Sequence, residues 1–282
     1  MDELEHIITE IISRKHRNLF TFLTGAGLSA ESGIPTYRGS DGIWIKGTKN
    51  YRPEEFGTFK HFLEEPEEVW IYTLYRKKMF AEANPNPSHH ALAEIETLLQ
   101  DRFQLIRQNI DGLHYRAGSR KMYEIHGNIR EMKCGVGCKG ILPLPEAVAV
   151  KTLDDALTEP EKALLKCPAC GAWMRPNVLW FDEYYDEKTH KKFSALKAAK
   201  NSGVLFILGT SGATSLPLAI TETALKYGAF IIDVNIEDNQ FTALIQKNKR
   251  KIIIRKKTSE VLTVVLELIR KHTNFEEQGI DE

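Results

Sequence analysis

The sequence lacks an excess of either charge, because 38 Lys and Arg residues balance 38 Asp and Glu residues. No field of one sign therefore attracts the chain to nucleic acid or to an anionic membrane, and we expect neither partner. Apolar runs long enough to cross a bilayer are also lacking. Residues 1–6 are acidic and lack the basic-then-apolar order of a secretory signal, so we expect a cytoplasmic protein.

Cysteine is scarce, and its placement is informative. The four cysteines form two close pairs, Cys134 with Cys138 and Cys167 with Cys170. Two such pairs across a moderate loop are typical of a tetrahedral Zn²⁺ site, and four thiolates leave no open position on the metal. Four unrelated free thiols would not cluster in this way, and the second pair does not follow a strand-to-helix junction as a redox C-x-x-C does. The spacing therefore predicts one structural zinc.

Short apolar segments alternate with helical stretches, which predicts an α/β protein built on a doubly wound parallel sheet. Residues 204–208 are wholly apolar, as expected of a strand covered on both faces. The predicted strands are 18–23, 103–107, 204–208, 229–234 and 251–254, with a shorter extended segment at 177–183. The predicted helices are 2–15, stretches within 54–83, 88–99 with Ser88 as N-cap, 186–200, a helix from Pro217, and 259–271.

A glycine-rich stretch follows the first predicted strand, with Gly25, Gly27 and Ala30 in G-x-G-x-x-A order. Glycines let the backbone turn sharply into a helix and let a phosphate approach bare N–H groups. Residues 32–38 add small polar groups, an aromatic and a cation where the ribose and phosphates of a dinucleotide would lie. An ordinary strand-to-helix turn is the alternative interpretation. The irregular residues 39–53 are interpreted as a loop that closes over a ligand.

Polar residues follow the second predicted strand, at the position where open α/β sheets place their ligands. They include Asn109 and Asp111, which by themselves would be ordinary turn residues. His126 lies just ahead of the cysteine-bearing segment and titrates near neutral pH, so it is a candidate general base. A structural histidine is the alternative for His126, and His89 and His90 are interpreted as surface or capping residues.

Several separate motifs occur in one order along the chain. They are residues 25–35, 37–38, 108–111, 126–127, the two cysteine pairs, 175–183, 209–211 and 235–237. In this order they resemble the sirtuin family, the NAD-dependent protein deacylases. The resemblance implies a Rossmann-like domain from residues 1–45, 86–131 and 173–282, and a smaller domain from residues 46–85 and 132–172. The smaller domain would contain a helical insertion and a zinc ribbon, and NAD and an acylated lysine would enter the cleft between the two.

The resemblance also implies which residues contact NAD as a co-substrate. They are Gly25, Ala26, Gly27, Ser29, Tyr37, Arg38, Gln108, Ile110, Asp111, Gly209, Thr210, Ser211, Asn235 and Glu237. Among them, Ile110 and Asp111 would hold the nicotinamide carboxamide. Gly209, Ser211 and Asn235 would line the adenosine end of the site.

Catalytic and substrate residues are implied in the same way. Asn109 would position the ribose and an ordered water, and His126 would deprotonate the ribose diol. Val178, Phe181 and Arg76 would contact the acylated lysine of a protein substrate. The implied products are nicotinamide, O-acyl-ADP-ribose and free lysine, so NAD is consumed and no hydride moves.

The sequence departs from the family pattern at four places. Arg107 stands where Thr is usual, Asp182 replaces a usual Gly and adds a carboxylate beside the peptide channel, and the loop 209–217 is one residue longer. Sirtuins that prefer succinyl groups have Tyr-x-x-Arg in the helical insertion, and here Thr73 precedes Arg76 instead. We therefore expect acetyl-lysine to be preferred to succinyl-lysine.

Other functions remain as alternatives to deacylation. The same fold could hydrolyse NAD or transfer ADP-ribose to another nucleophile, or it could be a non-catalytic, zinc-stabilised module that binds proteins and senses NAD. The presence of both Asn109 and His126 favours deacylation. A hydride-transferring dehydrogenase is disfavoured, because no convincing acid for the ribose ends the second strand.

Overall fold

A computed structural model describes residues 2–36 and 56–278. Tyr37, Arg38 and the loop predicted at 39–53 lie outside the described residues. The strands are β1 (Leu19–Thr24), β2 (Phe103–Arg107), β3 (Met122–Glu124), β4 (Gly127–Cys134), β5 (Leu142–Pro143), β6 (Met174–Val178), β7 (Ser202–Leu208), β8 (Phe230–Val234) and β9 (Lys251–Ile254). The helices are α1 (Asp2–Ser13), α2 (Ala26–Ala30), α3 (Phe59–Glu64), α4 (Pro66–Glu82), α5 (Pro87–Leu99), α6 (Leu113–Ala117), α7 (Glu159–Leu164), α8 (Glu187–His190), α9 (Lys192–Asn201), α10 (Ser215–Lys226), α11 (Gln240–Ile245) and α12 (Thr258–Gln278).

Six parallel strands form the main sheet, in the order β3-β2-β1-β7-β8-β9. Every residue of β7 is buried, because helices cover both faces. Val204 and Phe206 pack on one side with α1, α5 and α12, while Leu205 and Ile207 pack on the other with α9, α10 and α11. The doubly wound parallel α/β sheet predicted from the sequence is confirmed.

A second, three-stranded antiparallel sheet has the order β5-β4-β6. Helices α3 and α4 pack against it through a shared apolar cluster. The central residues of that cluster are Phe62, Trp70, Met132, Met174 and Trp180. Trp70 is fully buried and donates its indole N–H to the Met174 carbonyl oxygen at 2.8 Å, which joins α4 to β6.

Several helix termini differ from the predicted ones. Asn86, not Ser88, caps α5, because its side-chain oxygen accepts hydrogen bonds from two backbone N–H groups and Pro87 occupies the first helical position. The helix predicted over 186–200 is broken at Lys191, whose φ of 55° is left-handed. Helix α10 begins at Ser215, two residues before the predicted start, and α12 is longer than predicted. No helix among the described residues is long and apolar enough to span a bilayer.

Candidate functional site

The candidate site lies at the carboxyl ends of β1, β2, β7 and β8, where the loops after these strands meet. The Gly27 N–H donates to the Gly209 carbonyl oxygen at 2.8 Å, and Gly25 donates to Leu208 at 3.0 Å. A Cβ atom on Gly27 would lie 2.9 Å from the Gly209 oxygen, and one on Gly25 would lie 2.5 Å from the Thr210 Cβ. Glycine is therefore required here by close packing between two loops, in addition to any approach of a phosphate.

A buried polar cluster joins α2 to the loop after β2. Asn109 donates from its side-chain nitrogen to the Gly25 carbonyl oxygen at 3.0 Å and to Ser29 Oγ at 2.7 Å. Ser29 in turn donates to Asp111 Oδ2 at 2.7 Å, and Asp111 Oδ1 accepts from the Leu113 N–H at 2.8 Å. Because all three side chains are buried and hydrogen-bonded, their orientations are fixed before any ligand binds.

A small cavity opens beside this cluster. It is lined by Ala26, Ser29, Ile34, Pro35, Arg76, Phe80, Asn109, Ile110 and Asp111. The cavity thus combines residues predicted to bind nicotinamide with Arg76, which was predicted to contact the acyl group. Arg76 is mostly buried, and its guanidinium carbon lies 4.9 Å from the centre of the Phe80 ring.

Polar side chains also link the loops on the other side of the site. Gln108 donates to the Thr24 carbonyl oxygen at 3.1 Å and to Thr210 Oγ1 at 2.9 Å, and Asn235 donates to the Thr210 carbonyl oxygen at 3.1 Å. Three of the residues predicted to bind NAD are therefore connected across β2, β7 and β8. Ser211, predicted for the adenosine end, and Glu237, predicted to contact NAD, are exposed and take no part in these side-chain hydrogen bonds.

His126 follows β3 and lies next to the loop after β2. Burial lowers the pKa of His126 to about 4, although a hydrogen bond with the Gln108 backbone acts in the opposite direction. The imidazole is therefore neutral at pH 7, as a proton acceptor must be. Its Nε2 atom lies 2.9 Å from the Tyr185 hydroxyl. Burial raises the pKa of Tyr185 to about 12, so the hydroxyl keeps its proton and can donate it to Nε2.

The residues predicted to contact the acylated lysine lie close to His126. Val178, at the end of β6, is paired with Gly127, and the Leu179 N–H donates to the His126 carbonyl oxygen at 3.0 Å. A Cβ atom on Gly127 would lie 1.9 Å from the Asn177 carbonyl oxygen, so only glycine permits this approach. Phe181 is about half exposed (48%), so it is accessible for contact with a peptide.

Asp182 contacts the start of α3, and the sequence did not predict this contact. Its two carboxylate oxygens accept hydrogen bonds from the Phe59 N–H at 2.7 Å and from the Lys60 N–H at 3.1 Å. The neighbouring Phe181 N–H donates to the Gly57 carbonyl oxygen at 2.9 Å. Asp182 therefore supplements the N-cap of α3, Thr58, and joins this helix to the loop after β6, whereas we expected only an added charge beside a peptide channel.

Two histidines near the site are more deeply buried than the sequence indicated. His89 belongs to the cap of α5 as predicted, but it is fully buried, whereas His90 is exposed. The His89 ring centre lies 4.7 Å from that of His114, which is also fully buried and which the sequence analysis did not single out. Burial lowers the pKa of His89 to about 4 and also lowers that of His114.

The four cysteines meet at one end of the small sheet. The Sγ atom of Cys138 lies 3.5 Å from those of Cys134 and Cys167, and the Cys134 and Cys170 sulfurs are 3.7 Å apart. Disulfide sulfurs would be about 2.0 Å apart. Four sulfurs at about 2.3 Å from a tetrahedral Zn²⁺ would be about 3.8 Å from one another. The arrangement therefore fits a Zn²⁺ ion and excludes disulfides between these cysteines.

The fold and the site define a doubly wound α/β protein with a second module that carries a cysteine cluster of the zinc type, and the comparisons agree with this class. The model of the Sir2 family matches residues 25–215. A protein of Leptospira interrogans described as NAD-dependent protein deacylase is 38% identical to this chain over 268 residues, which cover 91% of this chain and 95% of that protein. A protein of Pyrococcus furiosus with the same description is 38% identical over 248 residues, which cover 88% of this chain and 92% of that protein.

A solved structure of a mutant Sir2 homologue in complex with ADP-ribose is similar to this chain, with a TM-score of 0.78 and 31% identity. The match covers 96% of this chain and 97% of that one. The chain therefore belongs to the Sir2 family, which confirms the resemblance to the sirtuins that the motifs indicated.

Proposed function

We propose that this protein is an NAD-dependent protein-lysine deacylase that yields nicotinamide, O-acyl-ADP-ribose and free lysine. One observation carries the proposal: the cluster around Asn109, the neutral His126 and the end of β6 at Val178 adjoin one another at the carboxyl edge of the sheet. The relatives described as deacylases cover most of the chain and support the same activity.

NAD would bind along the loops after β1, β2, β7 and β8. Ile110 and Asp111 would hold the nicotinamide end, because they line the cavity beside Asn109. Thr210 and Asn235 would face the adenosine end, together with the exposed Ser211 and the other residues named above. When bound, NAD supplies a ribose carbon from which nicotinamide can be displaced by the amide oxygen of the acylated lysine.

The chain's own residues would position and deprotonate this substrate. Asn109 would orient the ribose, since its side chain is already held by Ser29 and Gly25. Neutral His126 would accept a ribose hydroxyl proton at Nε2 once the ribose hydroxyl replaces the Tyr185 hydroxyl, which donates to that atom. Water exclusion by the cleft would favour attack by the acyl amide over hydrolysis.

Acetyl-lysine is the proposed substrate in preference to succinyl-lysine. A succinyl carboxylate in an apolar tunnel must be paired, because an unpaired buried charge is costly. Arg76 supplies a cation, but Thr73 is too short to act as a second donor, and its hydroxyl already donates to the Val69 carbonyl oxygen at 2.8 Å. The Thr73 side chain is also mostly buried in its own helix packing.

The cysteine cluster would hold one Zn²⁺ with a structural role, because four thiolates complete a tetrahedron. We also propose that the chain divides into the two domains given above and that the protein acts in the cytoplasm. In that division, the zinc module and the helices α3 and α4 together form the smaller unit, which their shared apolar cluster supports.

The test is to incubate the protein with NAD and a panel of acyl-lysine peptides of one sequence and to analyse the products by mass. We expect free lysine and O-acyl-ADP-ribose, with acetyl processed at a higher kcat/KM than succinyl. Nicotinamide release with unchanged peptide would instead identify an NAD hydrolase. ADP-ribose attached to a protein would identify a transferase.

A further inference from the structure

An ion pair between a fully buried cation and a partly buried carboxylate lies directly behind the candidate catalytic residues. Arg107 ends β2 and is fully buried, and Glu124 ends β3 and is its partner in the parallel register. The Arg107 guanidinium donates to the Glu124 carboxylate and to the backbone carbonyl oxygen of Asn109. A fully buried cation is costly unless it is paired and hydrogen-bonded, so this placement requires both acceptors.

The parallel register of β2 and β3 places the ion pair at the same distance along both strands from the candidate catalytic residues. Asn109 lies two residues beyond Arg107, and His126 lies two residues beyond Glu124. The Ile125 N–H also donates to the Arg107 carbonyl oxygen at 3.1 Å, which continues the pairing toward His126. The ion pair therefore joins the two strand ends from which both candidate catalytic residues project.

Hydrogen bonds from Glu124 continue toward Val178, the residue proposed to contact the acylated lysine. Its carboxylate accepts from the Asn128 side chain at 2.6 Å, and Asn128 also donates to Glu131 at 2.9 Å. Glu131 accepts from the Asn177 side chain at 3.0 Å. Asn177 directly precedes Val178, so a continuous polar network runs from Asn109 to the strand end proposed to bind the acylated lysine.

We infer that Arg107 is a positioning residue that holds the Asn109 backbone against Glu124 and thereby sets the placement of Asn109 relative to His126. The inference rests on the proposed function of these two residues. Threonine, which is usual at this position in the sirtuin pattern, is too short to reach the carboxylate and the carbonyl oxygen at once. Contact with both acceptors therefore requires arginine at position 107, and Glu124 is needed as the acceptor on β3.

The experiment compares Arg107→Lys and the double variant R107M/E124Q with the wild type and with Arg130→Met as a control. Lysine keeps the charge but lacks the planar fork that serves two acceptors. The double variant removes both charges, so that no unpaired charge remains buried. Arg130 is a suitable control because it also donates to Glu124, at 3.0 Å, but its side chain is 43% exposed and stacks on Tyr115.

The readouts are exchange of labelled nicotinamide into NAD at saturating NAD, in the presence of acetyl-lysine peptide, together with the KM for NAD, the melting temperature and the zinc content. We expect both Arg107 variants to lose more than about tenfold in exchange rate, because small displacements of a positioned group are costly to rate. The KM for NAD should change much less, and Arg130→Met should behave like the wild type.

Each contrary result has its own meaning. Exchange by the Arg107 variants within about twofold of the wild type, or an equal loss in Arg130→Met, overturns the positioning role. The positioning role is also overturned if the exchange rate of the Arg107 variants falls only in proportion to the fraction of protein that is unfolded. A wild-type protein with neither exchange nor deacylation contradicts the proposed function itself, and the inference with it.

Discussion

The Tyr185 hydroxyl lies 2.9 Å from Nε2 of His126 and can donate its proton to that nitrogen. The two residues are 59 positions apart, and Tyr185 belongs to the segment that follows β6. The base proposed for catalysis is therefore oriented by a residue from the chain segment that also contains Phe181. Binding of substrate along this segment and orientation of the base are structurally connected.

Replacing Tyr185 by phenylalanine should raise the kcat of deacylation by up to about fivefold, because Nε2 of His126 no longer loses a hydrogen bond of about 1 kcal/mol when it accepts the ribose proton. The ring of the side chain is kept, so folding and the KM for NAD should change little. Tyr184→Phe is the matched control, because Tyr184 is 92% exposed. Equal kcat values for the two variants would show that the Tyr185 hydroxyl does not compete with the ribose for Nε2 of His126.

The zinc site gives a second prediction. Purified protein should contain close to one zinc per chain, and Cys167→Ser should release it, because three thiolates leave the tetrahedron incomplete. The melting temperature should fall in the variant and after treatment with a strong chelator, since metal binding contributes to folding. Elemental analysis and calorimetry measure both effects. An active, zinc-free preparation with an unchanged melting temperature would disprove the assignment.

The stability of the protein should decrease as the pH falls from about 6.5 to about 4. Burial holds the pKa of His89 at about 4, opposed by the nearby Asp111 carboxylate, whereas an unfolded histidine titrates near 6.5. Between these values the unfolded chain binds more protons, so the free energy of unfolding rises with pH and is lost on acidification.

His89→Gln should therefore weaken this dependence on pH, as measured by urea unfolding at pH 7.0 and pH 5.0. The dependence should not vanish, because burial also lowers the pKa of His114 and His126. His90→Gln is the control, since His90 is the exposed neighbour on the same helix. Identical slopes for the two variants would contradict the prediction.

The hydrogen bonds between Asp182 and α3 give a further prediction. Asp182→Gly introduces the residue usual in sirtuins and should destabilise the protein by about 1 kcal/mol, because two N–H groups in the first turn of α3 lose their acceptor while the Thr58 cap remains. It should also raise the KM for acyl peptide, because the loop after β6 then keeps only the backbone hydrogen bond from Phe181 to Gly57 as its polar connection to α3. Thr158→Ala removes the cap of α7, away from the site, and should reduce stability alone. Peptide KM values that move together in both variants would argue against a role for this connection.

Much of the fold follows from local patterns. The strands at 103–107 and 251–254 have the predicted bounds, because each is an apolar run ended by polar residues. Helix termini were predicted less accurately. Asn86 and Ser88 are both suitable N-caps for α5, and the choice between them depends on Pro87, which favours the first helical position. The break at Lys191 has no local signal, because lysine rarely adopts a left-handed φ.

The site was predictable only in part, for a physical reason. Asn109, Asp111 and the cysteines stand in spaced motifs that carry their chemistry, and the structure brings each set together. The partners of His126 and Asp182 come from distant segments, and no local pattern encodes such contacts. The burial of His114 likewise depends on how α5 and α6 pack against the sheet.

Deacylation with His126 as the base is tested by the amount of O-acyl-ADP-ribose formed per nicotinamide released, for the wild type and for His126→Ala. We expect one O-acyl-ADP-ribose for each nicotinamide in the wild type. In the variant, formation of this product should fall by about 10²–10⁴-fold while NAD binding is retained, because a general base contributes that much. Nicotinamide release by the wild type without any O-acyl-ADP-ribose would show that the protein is not a deacylase, and turnover by His126→Ala close to that of the wild type would show that His126 is not the base.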